Sequence, residues 1–233
     1  LQGETVRRNS LIALGIALAA AGCGSDTTAA GLELSRIRVV HASPDAPNLD
    51  IYLDGNREAA NVPYAGASNY LPVIFGTRVV ELTATGSQTP LIQSALPVAQ
   101  GTDYTLLAVN RLASIQALVL TDDNSAPAAG QAKLRIIHAA PSAPAIDVYA
   151  TAPGADLASA TPQIGGLAFR SASTYLSVAA GDYRVRVTQA GTKTVLFDSG
   201  TLPLGAGVIR TIVAVDHAGG GGPVGALLLT DRL

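Results

Sequence analysis

The chain has 233 residues, of which 48% are hydrophobic and 14% charged, with a formal net charge of -2. That balance excludes a disordered polar chain, and without a basic run the main electrostatic term of nucleic-acid binding is missing. Three Phe and no Trp exclude a sugar platform of exposed tryptophans, and a single cysteine excludes an internal disulfide or a zinc site of several thiolates.

Residues 1–23 read as an export signal. There is no Met, so Leu1 reads as a truncation or a non-standard start. Arg7 and Arg8 form a positive segment, and Leu11 to Ala21 is an uncharged run. A bilayer span needs about 20 apolar residues, so this shorter run fits a signal sequence instead. It ends in Ala20-Ala21-Gly22-Cys23, which resembles the bacterial lipobox, with Ala20 where Leu is usual. In a lipobox the cysteine is acylated and becomes the new N-terminus, so Cys23 is the expected lipidation site. Several acyl chains would hold the protein firmly, since one alone is marginal. Arg7-Arg8 also resembles a twin-arginine signal, although Asn9-Ser10-Leu11 matches that motif poorly. Gly24 after the cysteine resembles the outer-membrane default of Gram-negative lipoproteins. Residues 24–34 read as a flexible tether, with a reach of at most about 35–40 Å.

The remainder is a duplication. Arg36 to Tyr52, RIRVVHASPDAPNLDIY, returns without a gap as Lys133 to Tyr149, KLRIIHAAPSAPAIDVY, with eight of the 17 positions identical. The first unit is expected over 35–122, a linker over 123–132 and the second unit over 133–233. In the first unit Ile37 to His41 reads as a strand. A stiff loop follows, because Pro44 and Pro47 fix their own φ and restrain the residue before each. Leu49, Ile51 and Leu53 alternate with Asp50, Tyr52 and Asp54, which predicts a core face and an exposed face. After the Asp54-Gly55-Asn56 turn, the stretch to about Ala67 reads as irregular. Further strands are expected at 68–71, 78–84, 91–96, 103–110 and 116–120. About seven short strands with turn signals between them predict an all-β sandwich in each unit.

Later segments repeat too. Ala67 to Leu71 returns as Ala172 to Leu176, and Leu120-Thr121-Asp122 as Leu229-Thr230-Asp231. The offset drifts, so insertions fall in loops. One is the excursion Thr151 to Ala168. Another, Ala218 to Gly222, reads as a flexible hairpin tip; it is no phosphate loop, since no Lys-Ser or Lys-Thr follows.

The opening segment resembles the bacterial domain-of-unknown-function family 4397, whose members begin with a pattern like V-R-V-V-H-A-S-P-D-A-P-x-V-D-V-Y. Here that is Arg38 to Pro47, then Leu49 to Tyr52; the second copy departs at Ala140 and Ser142. The resemblance implies two tandem immunoglobulin-like β-sandwich domains in a secreted or lipid-anchored bacterial protein. It implies no activity.

The repeat singles out His41, Asp50 and Tyr52 with their partners His138, Asp147 and Tyr149. A His and a carboxylate brought together twice would suit a metal site or an acid–base pair. Alternatively each imidazole bonds the backbone of its proline loop, and Asp50 and Asp147 accept from local turns. Ion pairs of Arg38 with Asp50 or Asp54, and of Arg135 with Asp147, are a further structural outcome. No residue is assigned a catalytic role and no cofactor is expected: a G-x-S-x-G elbow is absent, and Ser43 becomes Ala140 in the second copy. His217 is a singleton and reads as an exposed loop residue. The expected function is a non-enzymatic, lipid-anchored envelope module that binds or adheres to a protein or polymer partner. The alternatives are a small-ligand or metal-binding lipoprotein using the His–Asp corner, and an envelope hydrolase.

Overall fold

The first proline loop carries the chain from one sheet to another. Its incoming strand β1 (Ser35–His41) and outgoing strand β2 (Leu49–Leu53) therefore lie in different layers. The computed structural model describes residues 33–231. The expected export segment, the expected lipidation site Cys23 and the expected tether through residue 32 lie outside the described residues.

Strands β3 (Asn56–Val62), β4 (Leu71–Val73), β5 (Gly76–Ala84), β6 (Pro90–Val98), β7 (Asp103–Val109) and β8 (Gln116–Asp122) complete the first half. One sheet has the order β4-β1-β7-β8, with β1 and β7 parallel; the other has the order β3-β2-β5-β6. The second half repeats the plan with β9 (Gln131–His138), β10 (Ile146–Thr151), β11 (Ile164–Leu167), β12 (Ser171–Ala172), β13 (Leu176–Ala179), β14 (Gly181–Gln189), β15 (Val195–Leu204), β16 (Ile209–Val215) and β17 (Gly225–Thr230). Its sheets run β12-β9-β16-β17, with β13 also on β9, and β11-β10-β14-β15. The protein is thus all-β and sandwich-like, in two halves.

Where about seven strands per unit were expected, the described residues hold eight and nine. The added strand of the first half is β3, in the stretch read as irregular. Only Val62 of it is buried, so an exposed edge strand shows no alternation for a sequence reading to detect. Strand β9 begins at Gln131, inside the stretch read as linker.

Leu49, Ile51 and Leu53 face the first core as the alternation predicts, together with Ile37, Val39, Leu82 and Leu106. An equivalent core in the second half holds Leu134, Ile136, Ile146, Val148 and Val187. A third apolar layer lies between the halves: Val40, Leu107 and Val109 pack with Ile137, Val213 and Val215. Full burial of one such side chain is worth about 1.5–3 kcal/mol, so this layer supplies most of the adhesion. The two halves form one compact unit.

Polar groups set the register of that packing. Arg38 Nη2 donates to Asp231 Oδ1 at 2.7 Å, reaching from the first half to the second. Arg135 reaches the other way: its Nη2 lies 2.8 Å from Asp122 Oδ1, an ion pair met off the N–H direction. Each carboxylate is held within its own half. Thr105 and Tyr70 donate to Asp122 Oδ2 at 2.7 and 2.6 Å, and Thr211 and Tyr175 to Asp231 Oδ2 at 2.6 and 3.0 Å. Each arginine also lies 4.6 Å from the ring centre of its own half's tyrosine. Burial, and then the nearby aspartates, pushes both phenols upward, so they remain donors. Arg38 stays charged: burial alone would lower its pKa, and Asp231, together with Tyr70 and Asp122, more than offsets it.

The expected pairs of Arg38 with Asp50 and of Arg135 with Asp147 do not form. Both arginines lie on the face of β1 or β9 turned to the other half, whereas β2 and β10 belong to the outer sheets.

The exchange also aligns the halves. Arg38 and Arg135 lie mid-strand in β1 and β9, and the aspartates they meet stand at the end of β8 and just past β17. At the opposite end Gly219 N donates to Pro44 O at 2.7 Å, and Tyr64 Oη to Asp216 O at 2.6 Å. The Ala218 to Gly222 tip, read as flexible, is therefore docked on the first half. Its glycines 219 to 221 have φ of 88–93°, a conformation that turns Gly219 N to Pro44 O, Gly220 N to His217 O and Gly221 N to Asp216 Oδ2.

Asp231→Ala is expected to leave Arg38 charged and buried without its carboxylate, costing about 3–5 kcal/mol. Arg38→Met with Asp231→Leu should recover much of that loss; urea denaturation of the two variants checks both. Ending the chain after Gly222 removes β17 and Asp231 together, and unchanged cooperative melting of that chain would contradict the architecture.

Candidate functional site

Each proline loop is closed by its histidine. The ring of His41 is fully buried, as is that of His138. His41 Nε2 lies 3.0 Å from Pro47 O, and His138 Nε2 lies 2.9 Å from Pro144 O. A carbonyl only accepts, so Nε2 carries the proton. The other nitrogen then accepts: Ser43 N donates to His41 Nδ1 at 3.4 Å, and Ala140 N to His138 Nδ1 at 3.3 Å. Edge-on contacts with Tyr64 at 5.9 Å and Phe169 at 6.0 Å complete the packing. Both nitrogens of each ring are thus committed to backbone, and neither is free for a metal or a proton transfer. Burial pushes both imidazoles below their ordinary value, against the pull of the proline-loop carbonyls.

Asp50 was placed on an exposed face by alternation, but it is buried. The edge strand β3 and the turn after β5 cover it and supply its donors. Asn61 N donates to Oδ1 at 2.8 Å, Thr85 Oγ1 to Oδ1 at 3.0 Å, and Gly86 N to Oδ2 at 3.4 Å. Asp147 repeats the arrangement with Gly166 N at 2.7 Å and Gly191 N at 2.8 Å. Asn61, Gly86, Gly166 and Gly191 all have positive φ, so each carboxylate holds an irregular point in the edge strand β3 or β11 and one tight turn. The hydrogen bond from Asn61 leads the effects that hold the Asp50 carboxyl below its usual value.

No hydrogen bond joins His41 to Asp50 or His138 to Asp147 among the described residues; the structure places the two groups in facing sheets. Tyr52 is half-buried on the outer sheet, opposite Arg57 and Glu81. Tyr149 is buried, with Lys193 Nζ 4.3 Å from its ring centre. Among the described residues, no three His, Cys, Asp or Glu side chains converge as metal ligands.

The non-repeated positions complement each other. Asp45 Oδ1 accepts from Leu112 N at 2.7 Å. In the second copy Ser142 stands there, and its hydroxyl donates to Asp216 Oδ1 at 2.7 Å. The carboxylate has moved to the facing loop, and the loop remains tied. His217 is exposed, with Nδ1 3.0 Å from Ala218 O.

The most strongly polar buried cluster is the one between the halves, and the sequence reading did not assign it. Its signal was present: Arg38, Tyr70 and Asp122 all recur, as Arg135, Tyr175 and Asp231. Repetition marked them without showing that each pair completes the other.

Replacing His41 and His138 by Ala should cost about 1–3 kcal/mol for each loop whose backbone groups lose their partners, and divalent zinc or nickel should shift the melting of neither form. Both folded-state imidazole values lie below the unfolded value near 6.5, so their contribution is fully present above that pH. It is lost as the pH falls through the folded value, because the unfolded chain then binds more protons. Urea midpoints across this range should fall toward acid in the native protein, with a shallower slope in the double variant.

A family model described as a domain of unknown function, DUF4397, matches residues 35–149 and 150–233. The division between these segments falls inside β10. No curated protein matches the chain. Among solved structures, the chain is similar to a leucine-rich repeat protein from Bacteroides thetaiotaomicron at 13% identity and a TM-score of 0.21, covering 80% of this chain and 26% of that one. The chain spans about a quarter of the length of that protein, and a likeness at this level carries no argument. Matched over two adjacent segments that cover most of its length, the chain belongs to the DUF4397 family.

Proposed function

We propose that the protein is a lipid-anchored, non-enzymatic binding module of the cell envelope, held through Cys23 in the outer membrane of a Gram-negative bacterium. The observation that carries this reading is the polarity of the body. The chain enters it at Ser35, while the repeated proline loops lie at the opposite end of the strands. A tether on one end leaves the other free to meet a partner. Loops on a rigid scaffold are the usual place for recognition, and here the histidines and aspartates make the loops rigid.

The distal surface is formed by the two proline loops, the turn at Leu112 and the hairpin after Val215. Leu112 and Val195 are exposed there at 37% and 45%. A hollow of about 270 Å³ lies between Ser142, Pro144, Val195, Leu196, Pro223 and Val224. Its lining is apolar and carries no free acid, base or nucleophile, which suits a protein or polymer partner bound by shape. With the histidine nitrogens engaged, no observation favours metal binding or hydrolysis at the corner.

A photoreactive residue in place of Leu112 or Val195, in cells that make the protein, is expected to yield adducts with an envelope component. The same residue at Ala179, near the tether end, serves as the control. Equal adducts at the control, or none at the distal positions, would remove this reading.

A further inference from the structure

The duplication provides an internal control for residues that serve something other than the fold. Cross-strand register pairs Ser35 with Val73 and Ile37 with Leu71 in the first half, and Ala132 with Val178 and Leu134 with Leu176 in the second. The core-facing residues thus correspond between copies. One step beyond, Leu34 stands across from Ile74, and Phe75 follows. The matching positions in the second half are Gln131 across from Ala179, followed by Ala180.

Leu34, Ile74 and Phe75 are exposed at 53%, 56% and 42%. They account for three of the exposed large apolar side chains, gathered at one end of one half. The fold does not require them, because the second copy builds the same strands with glutamine and two alanines. Leaving them in water forgoes the roughly 1.5–3 kcal/mol that burying each such side chain gains. The basic residues beside them are already paired: Arg36 with Asp103 at 2.9 Å and Arg78 with Asp54 at 3.0 Å. The face is therefore not cationic; its remaining charge is the exposed carboxylate of Glu33 beside Leu34.

Leu34 is eleven residues after Cys23. A chain of that length reaches at most about 35–40 Å, so an anchor at Cys23 keeps this end close to the bilayer and leaves the other end unconstrained.

From this we infer that Leu34, Ile74 and Phe75 form a membrane-resting foot, which inserts into the lipid surface that carries the anchor and sets the body upright on it. The inference rests on the lipid-anchor reading given above. The foot adds apolar contact at the headgroup boundary to an attachment already made by the acyl chains. Because no unpaired cation takes part, its contact needs no anionic lipid and is not weakened by salt.

The test uses the full chain exported by a bacterial host, with acylation of Cys23 read by the mass of the N-terminal peptide. The acylated cysteine has no free thiol, so a cysteine introduced by Ile74→Cys, Ala179→Cys or Leu112→Cys takes an environment-sensitive fluorophore alone. In phosphatidylethanolamine–phosphatidylglycerol vesicles, the probe at position 74 is expected to shift its emission to the blue. Quenchers attached to the lipid chains should also quench it, while probes at 179 and 112 stay water-like. Raising the salt should leave the shift in place. Acylated protein whose probe at 74 behaves like that at 112 overturns the foot and leaves the anchor standing. A Cys23 without acyl chains overturns both. A shift at 74 that disappears in high salt overturns the apolar contact in favour of an electrostatic one.

Discussion

Each half of this protein lends an arginine to an aspartate of the other, and the architecture depends on that exchange. A guanidinium and a carboxylate taken out of water cost several kcal/mol each unless they meet in good geometry. Here every member has further partners: a threonine relays between arginine and aspartate within each half, and a tyrosine ring covers the guanidinium. The apolar layer around them would tolerate sliding, since Val, Leu and Ile have no directional preference. The arginines do not, because only one register brings both to their acids. The apolar layer supplies the adhesion, and the charges select the alignment.

The duplication explains why the arrangement is symmetric. Position by position, the second copy retains what serves the fold and varies what does not. The serines Ser68 and Ser173 each accept from a strand backbone N–H at 3.0 Å, where the neighbouring edge strand is interrupted. The histidines and the buried aspartates recur because they hold loops. Asp45 and Ser142 differ because Asp216 takes over as the carboxylate. The linker is equally tied down: Lys133 Nζ donates to Asp123 Oδ2 and Ser125 Oγ, each at 2.7 Å.

Much of this was legible in the sequence wherever a side chain's role is decided locally. Alternation at Leu49, Ile51 and Leu53 located the core face, and paired prolines located the stiff loop. The same alternation misplaced Asp50, because a strand pattern carries no record of what folds over its outer face. Strand β3 was missed since one buried residue makes no pattern. Gly219 to Gly221 read as flexible because composition shows conformational freedom and not the acceptor, Pro44 O, that uses it. The arginine exchange was out of reach for a different reason: Arg38 and Asp231 are brought together only by the packing of two complete halves.

The separation of those two residues bears on how the protein reaches its folded state. Arg38 and Asp231 lie 193 positions apart, so the loop they close spans nearly the whole described chain. A contact of that span forms late, after the entropy of bringing distant segments together has been met. A chain that emerges from its N-terminus first therefore exposes the inner face of its first sheet, with a cation in the middle, until the last strand follows. During synthesis that face stays open to other chains, and the body closes only once residue 231 has emerged.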